Sequence, residues 1–89
     1  MITREVTIKN SSGLHARPAS LWVQAASRFQ SKIQIKKADA EVDGKSILGI
    51  LSLGLTAGSQ FELIVDGEDE QEAAKVLEEL LASMEKQDV

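Results

Sequence analysis

The sequence contains no cysteine and no tyrosine, and it has one histidine and one proline among 89 residues. Without cysteine the chain forms neither disulfide bonds nor thiolate metal sites. A zinc site on the single histidine would need carboxylates at ligand spacing, and the sequence has none at that spacing. No apolar run approaches the roughly 18 residues that a membrane span requires, and residues 1–5 lack a signal-peptide pattern. We therefore expect a cytoplasmic protein without a metal and without membrane insertion.

Charge is unevenly distributed along the chain. Residues 1–50 carry eight lysines and arginines against four acidic residues, and residues 51–89 carry two lysines against ten, for a net charge of −4. A net acidic chain with three aromatic residues is a poor nucleic-acid binder. We expect an acidic protein partner for the basic half. At this length we also expect one domain over residues 1–89, present as a monomer.

Periodicity predicts seven secondary-structure elements. Apolar and polar residues alternate within residues 2–8, 32–36, 40–42 and 61–65, which predicts strands. Apolar residues at helical spacing predict helices over about 16–28, over 47–52, and in a C-terminal segment ending near residue 86. The order is β-α-β-β-α-β-α. Because each strand has one apolar face, we expect an antiparallel four-stranded sheet with both long helices on one face, an α+β open-faced β-sandwich. The pattern leaves the strand order open.

The only histidine and the only proline lie three residues apart, with Arg17 between them. Pro18 suits the first or second position of a helix, where the amide has no intrahelical acceptor. An apolar run then follows at helical spacing: Leu21, Trp22, Ala25, Ala26 and Phe29. A helix that begins beside His15 would offer an anion the backbone N–H groups of Ala16 and Arg17 and a guanidinium. Neutral imidazole is a good nucleophile, so the segment favours phosphoryl chemistry on the histidine nitrogen. The alternative is a histidine that only caps the helix.

A second segment combines a serine with a short apolar helix. Ser46 is placed as the N-cap of the helix over residues 47–52, and Gly54 as its C-terminal stop. That helix is apolar nearly all round, so it cannot bury every side chain. We expect at least one of three residues to be exposed and to form a partner-binding patch, the alternative being that all three are core: Ile47, Leu48 and Leu51.

Two motifs resemble those of a known family. Gly13-Leu14-His15-Ala16-Arg17-Pro18-Ala19 resembles the active-site signature of HPr, the histidine-containing phosphocarrier family of the bacterial phosphoenolpyruvate:sugar phosphotransferase system. Lys45-Ser46-Ile47, followed by Ser52-Leu53-Gly54-Leu55, resembles the second, regulatory region of that family. Chain length and element order match across all 89 residues. The resemblance implies a sheet in the order first, fourth, second and third strand.

The resemblance also implies a function. His15 would accept a phosphoryl group on Nδ1 from phosphorylated enzyme I and pass it to sugar-specific IIA domains, with Arg17 stabilising the phosphoryl charge. Such a chain is an intermediate between enzymes, with no turnover of its own and no cofactor. In the Firmicute-type branch, which this chain resembles, HPr kinase/phosphorylase phosphorylates Ser46. The serine-phosphorylated form is there a corepressor with the catabolite control protein.

Two alternatives stay open. One is a nitrogen-branch or purely regulatory paralogue with other partners. Paralogues named Crh carry the serine but lack the histidine, whereas this chain has His15. The other alternative, from a different class, is a small interaction module whose histidine is structural.

Overall fold

The computed structural model describes residues 1–9, 13 and 16–87, so the segments 10–12, 14–15 and 88–89 lie outside the described residues. The elements are β1 (Ile2–Thr7), α1 (Ala16–Ala26), β2 (Lys32–Lys37), β3 (Ala40–Asp43), α2 (Ile47–Ser52), β4 (Gln60–Asp66) and α3 (Glu70–Gln87). The predicted order is confirmed. Helix α1 ends before the predicted residue 28 because the amides of Arg28 and Phe29, just beyond it, bond to carbonyls three residues back. Within the described residues, no helix combines the length and apolar character that crossing a membrane needs.

The strands form one antiparallel sheet in the order β1-β4-β2-β3, as the resemblance implied. Apolar residues lie opposite one another on the helix-covered face, for example Val65 between Ile2 and Ile33. The other face is mostly polar, and there Glu62 lies between Glu5 and Lys36. One apolar face therefore packs on the helices while the other meets water, which confirms the open-faced α+β architecture.

Trp22 of α1 lies at the centre of the core and is fully buried. Its ring meets that of Phe61 on β4 edge to face, with centroids 6.2 Å apart and planes at 84°. Its indole Nε1–H donates to the carbonyl oxygen of Gly44 at 3.0 Å. A buried indole needs such an acceptor, because its N–H cannot reach water. Trp22 is thus a packed side chain, as predicted, and it also ties α1 to the turn between β3 and α2.

A carboxylate joins the start of α3 to the connection between α1 and β2. Asp69 accepts hydrogen bonds from the amides of Gln30 and Ser31, each at 2.9 Å, and from the hydroxyl of Ser31. The Ser31 hydroxyl is the main cause, and the two amides add to it, of a pKa of Asp69 below the ordinary aspartate value. In the sequence, the run Glu68-Asp69-Glu70 by itself predicts only a favourable charge at a helix N-terminus. The structure adds a link between distant segments.

Candidate functional site

The predicted histidine site lies at the start of α1. The helix begins at Ala16, the residue that follows His15, as the sequence predicts. Pro18 is the third helical residue, one position deeper than the sequence indicates, where its missing N–H still costs nothing. Arg17 is exposed, and the first turn holds no acidic residue. A basic residue at a helix N-terminus interacts unfavourably with the helix dipole and lowers the stability of the helix. The same positive charge makes this first turn suited to binding an anion.

His15 itself lies outside the described residues, and so do its ring, its Nδ1 and its distance from Arg17. The roles predicted for the imidazole, for the Arg17 guanidinium and for the Ala16 backbone amide therefore stay predictions. The described part of the site is its frame: the first turn of α1 on one side and Gly13 on the other.

Gly13 supplies the second side of this frame. It is buried and has a φ of +69°, the left-handed conformation that glycine adopts without strain. A Cβ at this position would overlap the carbonyl oxygen of Leu55 and would lie 2.8 Å from the Cα of Thr56. Gly13 therefore lies directly against the backbone that follows α2.

Ser46 is the N-cap of α2, as predicted. Its backbone is extended, with φ −112° and ψ 115°, and its Oγ accepts a hydrogen bond from the amide of Gly49 at 3.2 Å. Its carbonyl accepts the first helical bond, from Ile50 at 3.1 Å. The side chain is half-buried. The Ser46 hydroxyl caps a short helix at the surface. Any modification of Ser46 would therefore change this capping hydrogen bond.

The turn that leads into Ser46 is fixed by several hydrogen bonds. Gly44 donates to the carbonyl of Ile33 at 2.7 Å and accepts from Trp22. Lys45 sends its Nζ to the carbonyl of Phe29 at 2.8 Å, beyond the end of α1. The sequence pattern did not indicate this role for Lys45, because the acceptor lies 16 residues away along the chain. The two residues before Ser46 therefore hold it against α1 and the segment that follows α1.

Helix α2 presents an apolar surface. Leu48 is 77% exposed and Leu51 is 38% exposed, whereas Ile47 is half-buried and Ile50 fully buried. The prediction that at least one of Ile47, Leu48 and Leu51 is exposed is confirmed, and partner binding by them stays a prediction. We call Ile47, Leu48 and Leu51 the α2 patch.

One residue of the predicted α1 stripe is not core. Leu21 is 41% exposed, although the sequence groups it with the buried Trp22 and Ala26. It directly precedes Trp22, about 100° away around the helix, so burial of the indole turns Leu21 toward the edge of the interface. Helix α1 packs on α2, so Leu21 and the α2 patch belong to neighbouring helices.

The described residues hold no group of three or more histidine, aspartate or glutamate side chains arranged to bind a metal ion. The geometry instead defines a class of protein. It is a small α+β protein with an open-faced antiparallel sheet, in which a segment with the only histidine leads into a helix whose first turn is basic.

A family model described as the PTS HPr component phosphorylation site matches residues 2–83. The chain therefore belongs to the HPr family of phosphocarrier proteins. It is 47% identical over 87 residues to the HPr-like protein Crh of Halalkalibacterium halodurans, covering 98% of this chain and all of that one. It is 45% identical over 80 residues to the phosphocarrier protein HPr of Treponema pallidum, covering 90% and 91% of the two chains.

Solved structures agree with this assignment. The crystal structure of HPr-C-His from Thermoanaerobacter tengcongensis matches over the full length of both chains, with a TM-score of 0.94 and 45% identity. The strand order and the placement of the helices are thus those of the family. Because both HPr and Crh proteins are among the relatives, the particular role within the family must be argued from this chain's own residues.

Proposed function

We propose that this chain is a phosphoryl carrier of the phosphoenolpyruvate:sugar phosphotransferase system. His15 accepts a phosphoryl group on Nδ1 from phosphorylated enzyme I and passes it to the IIA domains of sugar permeases. The observation that carries the proposal is the placement of the only histidine directly before α1, whose exposed first turn has Arg17 and no acidic residue. In this proposal residues 1–89 act as one domain, in the cytoplasm and as a monomer, with no cofactor.

The proposed phosphoryl transfer requires only a nucleophile and nearby positive charge from the protein. The lone pair of neutral Nδ1 attacks phosphorus, and the bond from phosphorus to the donor group of enzyme I breaks as the N–P bond forms. The backbone N–H groups of Ala16 and Arg17 and the Arg17 guanidinium supply positive charge to the transferred group. Because Arg17 is exposed, water screens its attraction for the phosphoryl group. Loose binding suits a carrier, which must release the group to its acceptor and has no turnover of its own.

Phosphoryl acceptance is tested with phosphoenolpyruvate and enzyme I. We expect an acid-labile gain of about 80 Da, the mass of one HPO₃ unit, and none in His15→Ala. Arg17→Ala should slow the transfer about tenfold or more, because it removes charge from the transition state. Arg28→Ala is the matched control, since Arg28 is also exposed but follows the far end of α1. Normal acceptance by His15→Ala, or equal rates in the two arginine variants, would contradict the proposal.

We also propose that Ser46 is phosphorylated by HPr kinase/phosphorylase and that this form acts as corepressor with the catabolite control protein. Two observations support it: Ser46 is a half-buried cap held in a fixed turn, and it directly precedes the α2 patch. A phosphate adds about −1.5 to −2 charges. Placed beside Leu48 and Leu51, that charge would repel an acidic face of enzyme I and leave the chemistry at His15 intact.

The effect of added charge at residue 46 can be separated from the effect of losing the N-cap. Ser46→Asp and Ser46→Asn both keep a side-chain oxygen at the N-cap, and only the first adds charge. We expect Ser46→Asp to accept phosphoryl groups from enzyme I about tenfold more slowly than Ser46→Asn. Kinase and ATP should add an acid-stable phosphate to the wild-type chain and none to Ser46→Asn. Equal transfer rates in the two variants would contradict the regulatory proposal.

A regulatory paralogue is the second candidate, favoured by the 47% identity to a protein named Crh. The two candidates differ in sugar uptake. A carrier restores uptake to cells that lack HPr, whereas a purely regulatory paralogue does not. The third possibility, an interaction module with a structural histidine, predicts no phosphorylation by enzyme I at all.

A further inference from the structure

We propose that the turn of residues 55–59 is a positioning element for the phosphoryl-accepting histidine and that Gly13 is the residue through which it acts. The inference rests on the proposed function of His15. It concerns the contact between Gly13 and the backbone of Leu55 and Thr56. We call the backbone of Leu55 and Thr56 the Gly13 seat.

The first step is the closeness of the contact. Gly13 is buried, and a Cβ there would overlap the carbonyl oxygen of Leu55 and lie 2.8 Å from the Cα of Thr56. Real Cβ atoms essentially never approach other atoms closer than 3.0 Å. Both neighbours are backbone atoms, so no side-chain rotation can make room. Only glycine allows the two stretches of backbone to meet at this distance.

The second step is the rigidity of the seat. Leu55 is 3% exposed and belongs to the core. Within the turn, the Thr56 amide donates to the Ser59 Oγ at 3.1 Å, and the Ser59 amide donates to the Thr56 carbonyl at 3.0 Å. At its far end the turn is paired with Ile8, through bonds of 2.8 Å and 2.7 Å that continue the β1–β4 ladder. The seat is therefore fixed to the sheet at one end and to the core at the other.

The third step is proximity along the chain. Gly13 lies two residues before His15, and Ala16, the first residue of α1, lies one residue after it. Consecutive Cα atoms are about 3.8 Å apart. Two described points, Gly13 and the start of α1, therefore flank the histidine closely in sequence. The inference is that the contact at Gly13 acts on the histidine through this short connection.

The test compares two glycine variants. Gly13→Ala and Gly54→Ala share the cost of a side chain at positive φ, +69° and +59°, but a Cβ on Gly54 meets nothing within 4 Å. Two properties are measured in both: the rate of phosphoryl transfer from enzyme I, and the NMR shifts of the ring protons through a pH titration. The chain has one histidine, so its ring resonances need no further assignment.

We expect Gly13→Ala to transfer at least tenfold more slowly than Gly54→Ala, since a displacement of about 1 Å at a reacting group can cost a hundredfold. We also expect the ring shifts to change in Gly13→Ala and to match the wild type in Gly54→Ala. Equal rates within about twofold together with equal ring shifts would overturn the inference.

If the Gly13→Ala chain does not fold, a second pair of variants tests the inference. Ser59→Ala removes the hydroxyl that fixes Thr56, and Ser52→Ala removes a hydroxyl bonded to a backbone carbonyl within α2. We expect the histidine ring shifts to change in Ser59→Ala and to stay unchanged in Ser52→Ala. If the ring shifts change in neither variant, the inference is overturned. The ring-shift measurement does not depend on phosphorylation. A wild-type chain that accepts no phosphoryl group therefore refutes the proposed function, while the ring shifts still decide on the seat.

Discussion

Trp22→Phe is the substitution whose effect the structure defines most closely. The indole is fully buried and donates its N–H to the Gly44 carbonyl at 3.0 Å. Phenylalanine keeps a ring at this position but loses the donor. It also fills less of the space beside Phe61 and so leaves a small cavity. The variant therefore breaks the link between α1 and the turn before Ser46 without changing any surface charge.

The expected loss of stability has two parts. A carbonyl left without this donor costs about 1–3 kcal/mol. A cavity of a few tens of Å³ costs about 1 kcal/mol, at about 24 cal/mol per Å³. The free energy of unfolding should fall by about 2–4 kcal/mol, a large part of the roughly 4–13 kcal/mol available to a chain of 89 residues. The midpoint of thermal unfolding should fall by about 8–30 °C.

The assay is urea unfolding followed by circular dichroism, because Trp22 is the only tryptophan and the variant has no indole fluorescence. A benzothienylalanine at this position has the shape of tryptophan without the N–H, so it isolates the hydrogen bond. Amide exchange at Gly49 reports whether the Ser46 cap loosens with the turn. A stability loss below about 1 kcal/mol for Trp22→Phe would refute the assigned role of the indole.

Substitutions at Asp69, in α2 and at Ser46 test the structure further. Asp69→Asn should destabilise the protein at neutral pH. Because the Ser31 hydroxyl and two amides hold the pKa of Asp69 below its ordinary value of 3.8, this difference should shrink as the pH falls through the depressed pKa. Ile50→Ala should cost about 2–5 kcal/mol, and Leu48→Ala less than about 0.5 kcal/mol, in urea unfolding. Ser46→Ala should cost about 1 kcal/mol, and Ser46→Asn almost nothing, because asparagine caps a helix about as well as serine.

Each of these has a control or a contradicting result. Asp39→Asn, in the exposed β2–β3 turn, should not reproduce the pH-dependent loss seen for Asp69→Asn in acid unfolding followed by circular dichroism. A costly Leu48→Ala would mean that the leucine is core and not surface. Equal stability of Ser46→Ala and the wild type would show that Ser46 is not a significant N-cap.

Local patterns determined the elements of this protein and much of its candidate site. Alternation and helical spacing indicate the seven elements, because one face of each must be apolar. The N-cap at Ser46 was predictable because its hydroxyl bonds to an amide only three residues away. The start of α1 beside His15 was predictable for the same reason, since Pro18 and the apolar run that follows are neighbours in sequence.

The tertiary structure decided what depends on distant contacts. Trp22 and Gly44 are 22 residues apart, and Ser31 and Asp69 are 38 apart, so no local periodicity links them. The strand order, which the sequence pattern left open, depends on which strands hydrogen-bond edge to edge, and those pairings join distant segments. Only packing separates the buried Ile50 from the exposed Leu48. Local backbone preferences act over a few residues, whereas burial and long-range hydrogen bonds exist only once the chain has folded.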